Sequence, residues 1–374
     1  MQVREVFKTH TTHLNINKYE NHYKMDNRAR GRGASINPHN KFFKQSTEYT
    51  SEDWQQWEDP EVNPKTQFIE EESKTLLSVS DSPDLGNFHS VNPYRGCEHG
   101  CIYCYARNSH EYLGYSAGLD FETKIVVKKN APQLLEKLFN SKKWEPTSIH
   151  ISGNTDCYQP GEKRYRITRQ LLEICLRYRN PVSVLTKNAL ILRDLDLFEK
   201  LAKLNLVHGA ISITSLNEDL RQKLEPRTVT GKRRLQVVKA LTEVGVPMGV
   251  MTAPIIPGLN DHEIPAIIEA AAENGALWAN YTVVRLNGAI GTIFDEWVHH
   301  HFPDRAAKVL NQIKECHGGN VNDSRFGYRM VGEGNFAEHI RQLHNLACRK
   351  HFKGGEIPEL DTTQFMRAGQ MRLF

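Results

Sequence analysis

Long apolar runs are missing from this 374-residue chain. The longest, Val246–Ile256, is interrupted by Pro247 and Pro254, well short of the ~20 residues that cross a bilayer. The opening stretch MQVREVFKTHTTHLNINKYENHYKM holds no apolar segment of the kind a secretory signal needs. These two absences predict a cytoplasmic protein without membrane contact. Cysteine is scarce: there are seven, too few and too clustered for a disulfide framework. Net charge is only +4, so the body makes no electrostatic case for a polyanionic partner. What is present, 39% hydrophobic and 25% charged residues, is enough for a core and excludes wholesale disorder.

The small positive excess is unevenly placed. Nine Lys/Arg against three Asp/Glu fall in residues 1–44, which leaves the remainder slightly negative. Residues 1–65 are polar, include Arg28-Ala29-Arg30-Gly31-Arg32-Gly33, and show neither helical nor strand period. They predict a flexible, disordered basic arm. It is either a solvated terminus or an electrostatic tether to nucleic acid.

From about Thr66 the pattern changes. Apolar, β-branched runs at Thr147–Ile151, Val182–Leu185, Val207–Thr214, Val246–Thr252 and Trp278–Val284 alternate with amphipathic stretches at Tyr165–Tyr178, Asp194–Leu204, Lys232–Val244 and His262–Asn274. Leu235, Val238, Leu241 and Val244 recur at the spacing of a helix that covers a sheet. Gly245 and Gly275 stand where such helices should end. With an earlier strand at Phe88–Pro93, followed by a helix near Ile102–Tyr112, this layout predicts an α/β fold. Six βα units would form a partial (β/α)6 barrel over residues 66–300. Residues 301–374, with helices at Asp304–Cys316 and Phe336–His351, predict a helical extension that packs on the barrel and closes one side of its mouth. In such sheets ligands collect beyond the carboxyl ends of the strands, and the chemistry should lie there.

The first strand runs straight into Asn92-Pro93-Tyr94-Arg95-Gly96-Cys97-Glu98-His99-Gly100-Cys101-Ile102-Tyr103-Cys104-Tyr105. Three thiolates converging from one loop, spaced C-x3-C-x2-C, can bind a soft metal or a cluster. A four-iron cube normally takes four protein thiolates, so three leave one iron open to another ligand. Tyr103 would shield that site. A zinc ion held by the cysteines and His99 is the other metal reading.

This loop resembles the signature of the radical S-adenosylmethionine superfamily. The resemblance implies a 4Fe-4S cluster on Cys97, Cys101 and Cys104, with S-adenosylmethionine chelating the open iron. It further implies reductive cleavage of the sulfonium to methionine and a 5′-deoxyadenosyl radical, driven by an external one-electron reductant of flavodoxin or ferredoxin type. NPYRGCEHGCIYCYAR, HEYLGYSAGLDFETKIVVK at 110–128, SGNTDCYQPGEKRYRITR at 152–169, PIIPGLND at 254–261 and GGNVNDSRFGYRMVGEG at 318–334 are similar to a bacterial group related to spore photoproduct lyase. By analogy the substrate would be damaged nucleic acid.

The same resemblance places Asn154, Thr155 and Asp156 near the methionyl end of the cofactor, although the segment departs from the Gly-Gly-Glu form. It places Lys187 near the cofactor carboxylate, Ser212 near ribose or carboxylate, and Pro254–Asn260 behind the adenine. Cys157 is a candidate hydrogen donor, set against the plainer reading of a packed cysteine. Cys175, Cys316 and Cys348 read as core or surface residues. His299-His300-His301 reads as a solvated run, because adjacent helical residues point apart. Arg227, Lys232, Arg233 and Arg234 read as a solvated basic face that could instead meet a phosphate or the cofactor carboxylate. The alternative function is an iron–sulfur protein for nucleic-acid binding or electron transfer that cleaves no cofactor.

Overall fold

The computed structural model describes residues 31–43, 64–86, 88–352 and 357–367. In chain order, β1 (Gln67–Glu71), β2 (Leu77–Ser80), β3 (Phe88–Val91) and β4 (Tyr94–Arg95) precede α1 (Leu119–Thr123) and β5 (Lys124–Lys128). Next come α2 (Ala131–Asn140), β6 (Ile149–Ile151), α3 (Glu162–Tyr165), α4 (Ile167–Tyr178), β7 (Val182–Thr186) and α5 (Leu195–Lys203). Then follow β8 (Val207–Ser212), α6 (Glu218–Leu224), α7 (Gly231–Glu243), β9 (Met248–Ile255) and α8 (Ile264–Glu273). β10 (Trp278–Val283), α9 (Ala289–His301), α10 (Ala306–Cys316) and α11 (Gly334–His351) complete the series.

The main sheet has the order β10-β9-β8-β7-β6-β3-β2. From β3 to β10 its six strands are parallel, and β2 adds an antiparallel edge. This is the partial six-unit barrel, and its strands read as apolar runs because helices cover one face. On that face Ile149, Ile151, Val182, Val184, Val207, Ile211 and Val250 are essentially without exposure. Each such side chain contributes ~1.5–3 kcal/mol by leaving water. On the opposite face His150, Ser183, Leu185, His208, Ala210 and Met251 stay partly accessible, so the interior of the curve is not packed shut. The helix ends obey local chemistry: Thr230 caps α7 through the amide of Arg233 at 3.1 Å, and Gly245 and Gly275 turn the chain at φ +87° and +91°.

Four features differ from the sequence reading. The helix expected near Ile102–Tyr112 is a 3-10 segment at Tyr105–Leu113. There Arg107 Nε donates to the Cys101 carbonyl at 2.9 Å, so a side chain satisfies what a helical amide would have taken. A second sheet, β1-β5-β4, carried no periodic signal. Residues 31–43, counted with the arm, pack on the barrel: Ala34 and Asn40 are buried, and Leu119 N–H donates to the Ile36 carbonyl. The rest of the predicted arm lies outside the described residues. Finally, α11 lies on α8, α10 and β10, and residues 357–367 run under the amino ends of the strands. There Pro358 O meets His208 Nε2 at 2.7 Å and Phe365 stacks on Tyr178. The glycine-rich segment before α11 borders the mouth, where the amide of Val283 donates to the Met330 carbonyl, and at α10 Arg305 donates to the Gly258 carbonyl of the loop after β9. No described helix is long and apolar enough to cross a membrane.

Candidate functional site

The cysteine loop owes its shape to two glycines. Gly96 and Gly100 have φ of +79° and +69°. A Cβ on Gly100 would lie 2.7 Å from Glu122 Oε2, and one on Gly96 would lie 2.9 Å from the Phe121 carbonyl. The loop is clamped from outside. Cys97 N–H donates to Phe121 O at 2.9 Å, Ile102 N–H to Leu224 O at 3.0 Å, and Gln159 bridges Glu98 N–H and Gly96 O. Glu122 gathers the amides of Gly33 and Ala34 and the guanidinium of Arg107.

All three cysteines are free thiols; Cys97 and Cys101 are buried and Cys104 half-buried. Burial raises the pKa of each. Opposing it, the peptide N–H of His99 faces the Cys97 sulfur, and those of Ala106 and Arg107 face the Cys104 sulfur. Amides aimed at sulfur favour thiolate, the form a metal needs. Among the described residues no three His, Cys, Asp or Glu side chains gather closely enough to surround one ion. His99 is occupied elsewhere: Nδ1 lies 3.3 Å from Asp156 and Nε2 3.3 Å from Asn188. The donor set therefore fits a multi-iron cluster better than a mononuclear site with His99.

Behind the loop the strand ends meet in a buried charge network. After β6, Asp156 accepts from the Thr186 hydroxyl at 2.7 Å and the Lys187 amide at 2.8 Å. Burial opposes ionisation of Asp156, but His99, Thr186 and the Lys187 amide outweigh it and hold the group at about 2. After α6, Glu225 accepts from the Tyr103 hydroxyl, the Thr214 hydroxyl and the Arg234 guanidinium. Burial again opposes ionisation, and Arg234 and Lys187 overcome it, to about 2. Lys187 lies between these carboxylates. Desolvation pulls its pKa down, yet Cys101 and Glu225 raise it further, so the ammonium stays charged. It forms no ion pair among the described residues.

Of the residues expected at the site, Tyr103 and Lys187 thus join the cysteines, and Asp156 lies just behind. Thr155 is turned inward, its hydroxyl on the Tyr94 carbonyl at 2.7 Å. Asn154 donates to Ser109 Oγ at 3.2 Å, and Ser212, buried, gives its carbonyl to Arg234. In Pro254–Asn260, Asn260 ties the loop to Thr214 O and Pro254 O. Cys157, next to Asp156, is wholly buried in the main core, and burial, then Asp156 and Glu162, raises its thiol. That burial is the packed arrangement, and the donor reading would need the sulfur to be uncovered. Arg234 also departs from expectation. It is buried and bonded to Glu225, whereas Lys232 and Arg233 are exposed. His299 pairs only with Asp295, one turn away.

Sequence reasoning missed Glu225 and Asn92, and weighed His99 only as a zinc ligand, not as a partner of Asp156. Asn92 Oδ1 accepts the amides of Gly153, Asn154 and Thr155 at 3.0, 2.8 and 3.3 Å, and so holds a turn whose Ser152 has φ +79°. An acid nine residues before Arg234 was the one available hint for Glu225.

An open barrel of six parallel strands, with three free cysteines on the loop of its first unit, defines a class of cluster-bearing α/β proteins. The chain belongs to the radical SAM superfamily, whose family model matches residues 91–271. An uncharacterized protein of Mycobacterium tuberculosis is 32% identical over 235 residues, 62% of this chain and 69% of that one. One of Methanocaldococcus jannaschii is 31% identical over 202 residues, 54% of this chain and 73% of that one. Among solved structures, a cysteine-to-serine mutant of spore photoproduct lyase has a TM-score of 0.56 at 16% identity, covering 77% of this chain and 80% of that one. A lyase mutant with bound AdoMet and dinucleoside spore photoproduct has a TM-score of 0.55 at 15% identity, with the same coverage. At that identity the likeness speaks for the fold. Superfamily membership makes the chain a radical SAM enzyme and implies a 4Fe-4S cluster and S-adenosylmethionine.

Proposed function

We propose that Cys97, Cys101 and Cys104 hold the cluster, and that Tyr103, Lys187 and the 152–156 turn form the cofactor cradle. When bound, the cluster supplies the electron that splits the sulfonium of S-adenosylmethionine and yields a 5′-deoxyadenosyl radical. The protein's own residues do the rest. Lys187, charged and without an ion pair among the described residues, offers a compact cation to the cofactor carboxylate. Glu225 holds the Tyr103 ring against the loop by its hydroxyl and sets the field around Lys187. Asn92 fixes the turn bearing Asn154, and the clamp of Glu122 and Arg107 keeps water from the outer side of the loop. The observation that carries this reading is the set of three free thiols, two of them facing peptide amides, beside a charged lysine that has no ion pair among the described residues.

The substrate reading is a damaged nucleic acid or a similar base-bearing molecule. It is supported by the lyase-like fold and by exposed rings, Phe326 and Tyr328, in the segment that borders the mouth; an arginine lies over each, and an exposed face can stack on a base. Arg325 there is tied to Asp323 and Glu333, and Arg329 to Asp84.

Anaerobic reconstitution with iron and sulfide, then dithionite and S-adenosylmethionine, tests the reaction. Release of 5′-deoxyadenosine is expected, and substitution of any of the three cysteines by serine should abolish it together with the visible cluster absorption. A cluster that forms but never releases 5′-deoxyadenosine would support the electron-transfer alternative.

A further inference from the structure

Resting on the cluster reading, we propose that Lys163, Arg164 and Arg166, flanked by Lys65 and Arg227, are the docking surface for an acidic one-electron carrier protein. The cysteine loop has two flanks. On the Cys104 side, the Tyr105 hydroxyl donates to the Gly153 carbonyl and Asn154 meets Ser109, which is the cofactor and substrate side. On the Cys97 side, Glu98 is fixed through its amide by Gln159, through its carboxylate by Thr66 at 3.0 Å, and by Arg227 at 3.5 Å. A Cβ on Gly161 would lie 3.5 Å from Glu98 Oε2, so α3 starts directly against the residue after Cys97.

From that start the chain presents Lys163, Arg164 and Arg166 outward, all exposed and without an acidic partner among the described residues. Lys65, next to Thr66, is exposed too, and Arg227 is 32% exposed. Two acids beside this patch are committed elsewhere: Glu162 is buried against Arg193 and Tyr94, and Glu70 pairs with Lys129. Arg227 is paired with Glu98, and Lys163, Arg164, Arg166 and Lys65 leave the Cys97 flank of the loop with a single sign of exposed charge. An electron must enter from outside without crossing the substrate chamber, and this is the flank that allows it. The transfer is balanced by the carrier: its reduced centre loses one electron and the cluster gains it.

Nucleic acid is the weaker fit for this patch. Its ring, Tyr165, is half-buried, with Arg164 over it at 5.0 Å and Phe68 packed against it, so it is less open to base stacking than an exposed ring.

The test uses the full chain, reconstituted anaerobically, and an acidic flavodoxin as the electron donor. Reduction is followed by bleaching of cluster absorbance, and flavodoxin affinity by titration. For the wild-type chain the rate should fall steeply as salt rises, as steered association does. Lys163→Glu/Arg164→Glu/Arg166→Glu should slow reduction by flavodoxin about tenfold at low salt and flatten the salt dependence. Lys163→Gln/Arg164→Gln/Arg166→Gln should fall between. Dithionite, which needs no docking, should reduce all three alike and so confirms that they are folded and loaded. Equal flavodoxin rates in the wild-type and glutamate chains overturn the proposal. So does a glutamate variant that keeps flavodoxin reduction but loses low-salt retention of an oligonucleotide. Should no cluster assemble, the cluster reading fails, while the flavodoxin titration still decides whether the surface binds.

Discussion

Glu225 accepts the hydroxyl of Tyr103 across 122 residues of sequence, which joins the cysteine loop to the turn after α6. Arg234 completes the contact, so one buried carboxylate sets both the ring beside the third cysteine and the charge around Lys187. Removing that charge leaves Arg234 buried and uncompensated. Glu225→Gln should cost on the order of 3–5 kcal/mol of unfolding free energy, read from the denaturant midpoint. It should also weaken S-adenosylmethionine binding, because Lys187 loses a neighbour that keeps it charged.

Lys187 itself gives a cleaner test of the cradle. Lys187→Met should still assemble the cluster, with visible absorption like that of the wild type. Its dissociation constant for S-adenosylmethionine should rise about tenfold, the factor that ~1.4 kcal/mol represents. Unchanged affinity would place the cofactor carboxylate elsewhere.

Acid should act through Asp156 and Glu225. Both carboxyls are held near 2, below their ordinary values of 3.8 and 4.5. A group depressed on folding stabilises above its unfolded pKa and loses that contribution as pH falls through its folded pKa. Stability should thus be steady above about pH 5 and decline steeply between about pH 4.5 and 2. Glu225→Gln should make that decline shallower in acid titrations followed by circular dichroism.

Cys157 has no exposed surface and lies in the main core. Cys157→Ala should lose about 1 kcal/mol of stability from the vacated volume. It should keep the wild-type yield of 5′-deoxyadenosine per cluster, and a large fall in turnover on the true substrate would restore the donor role.

The segment at 31–43 lies so close to the cysteine loop that a Cβ on Gly33 would sit 1.7 Å from the Gly100 carbonyl. Gly33→Ala cannot be absorbed by a flexible side chain, since the obstacle is backbone. It should free the segment and cost about 1–3 kcal/mol. The measurable signs are faster proteolysis before Ala34 and quicker bleaching of the cluster by air.

The parallel barrel was legible because burial on the helix-covered face demands apolar runs, and the helices between carry their own period and stops. The cysteine triplet was legible because its ligands come from one loop and need no tertiary structure to be neighbours. The rest had no local mark. The small sheet draws on strands separated by the cysteine loop, Glu225 matters through partners at 103, 214 and 234, and Cys157 looks reactive until the core closes over it. Spacing along the chain determines what a short loop can ligate. Which distant charges pair, and which thiol stays reachable, depends on packing, because burial and counter-charge arise only when strand ends far apart in sequence are brought side by side.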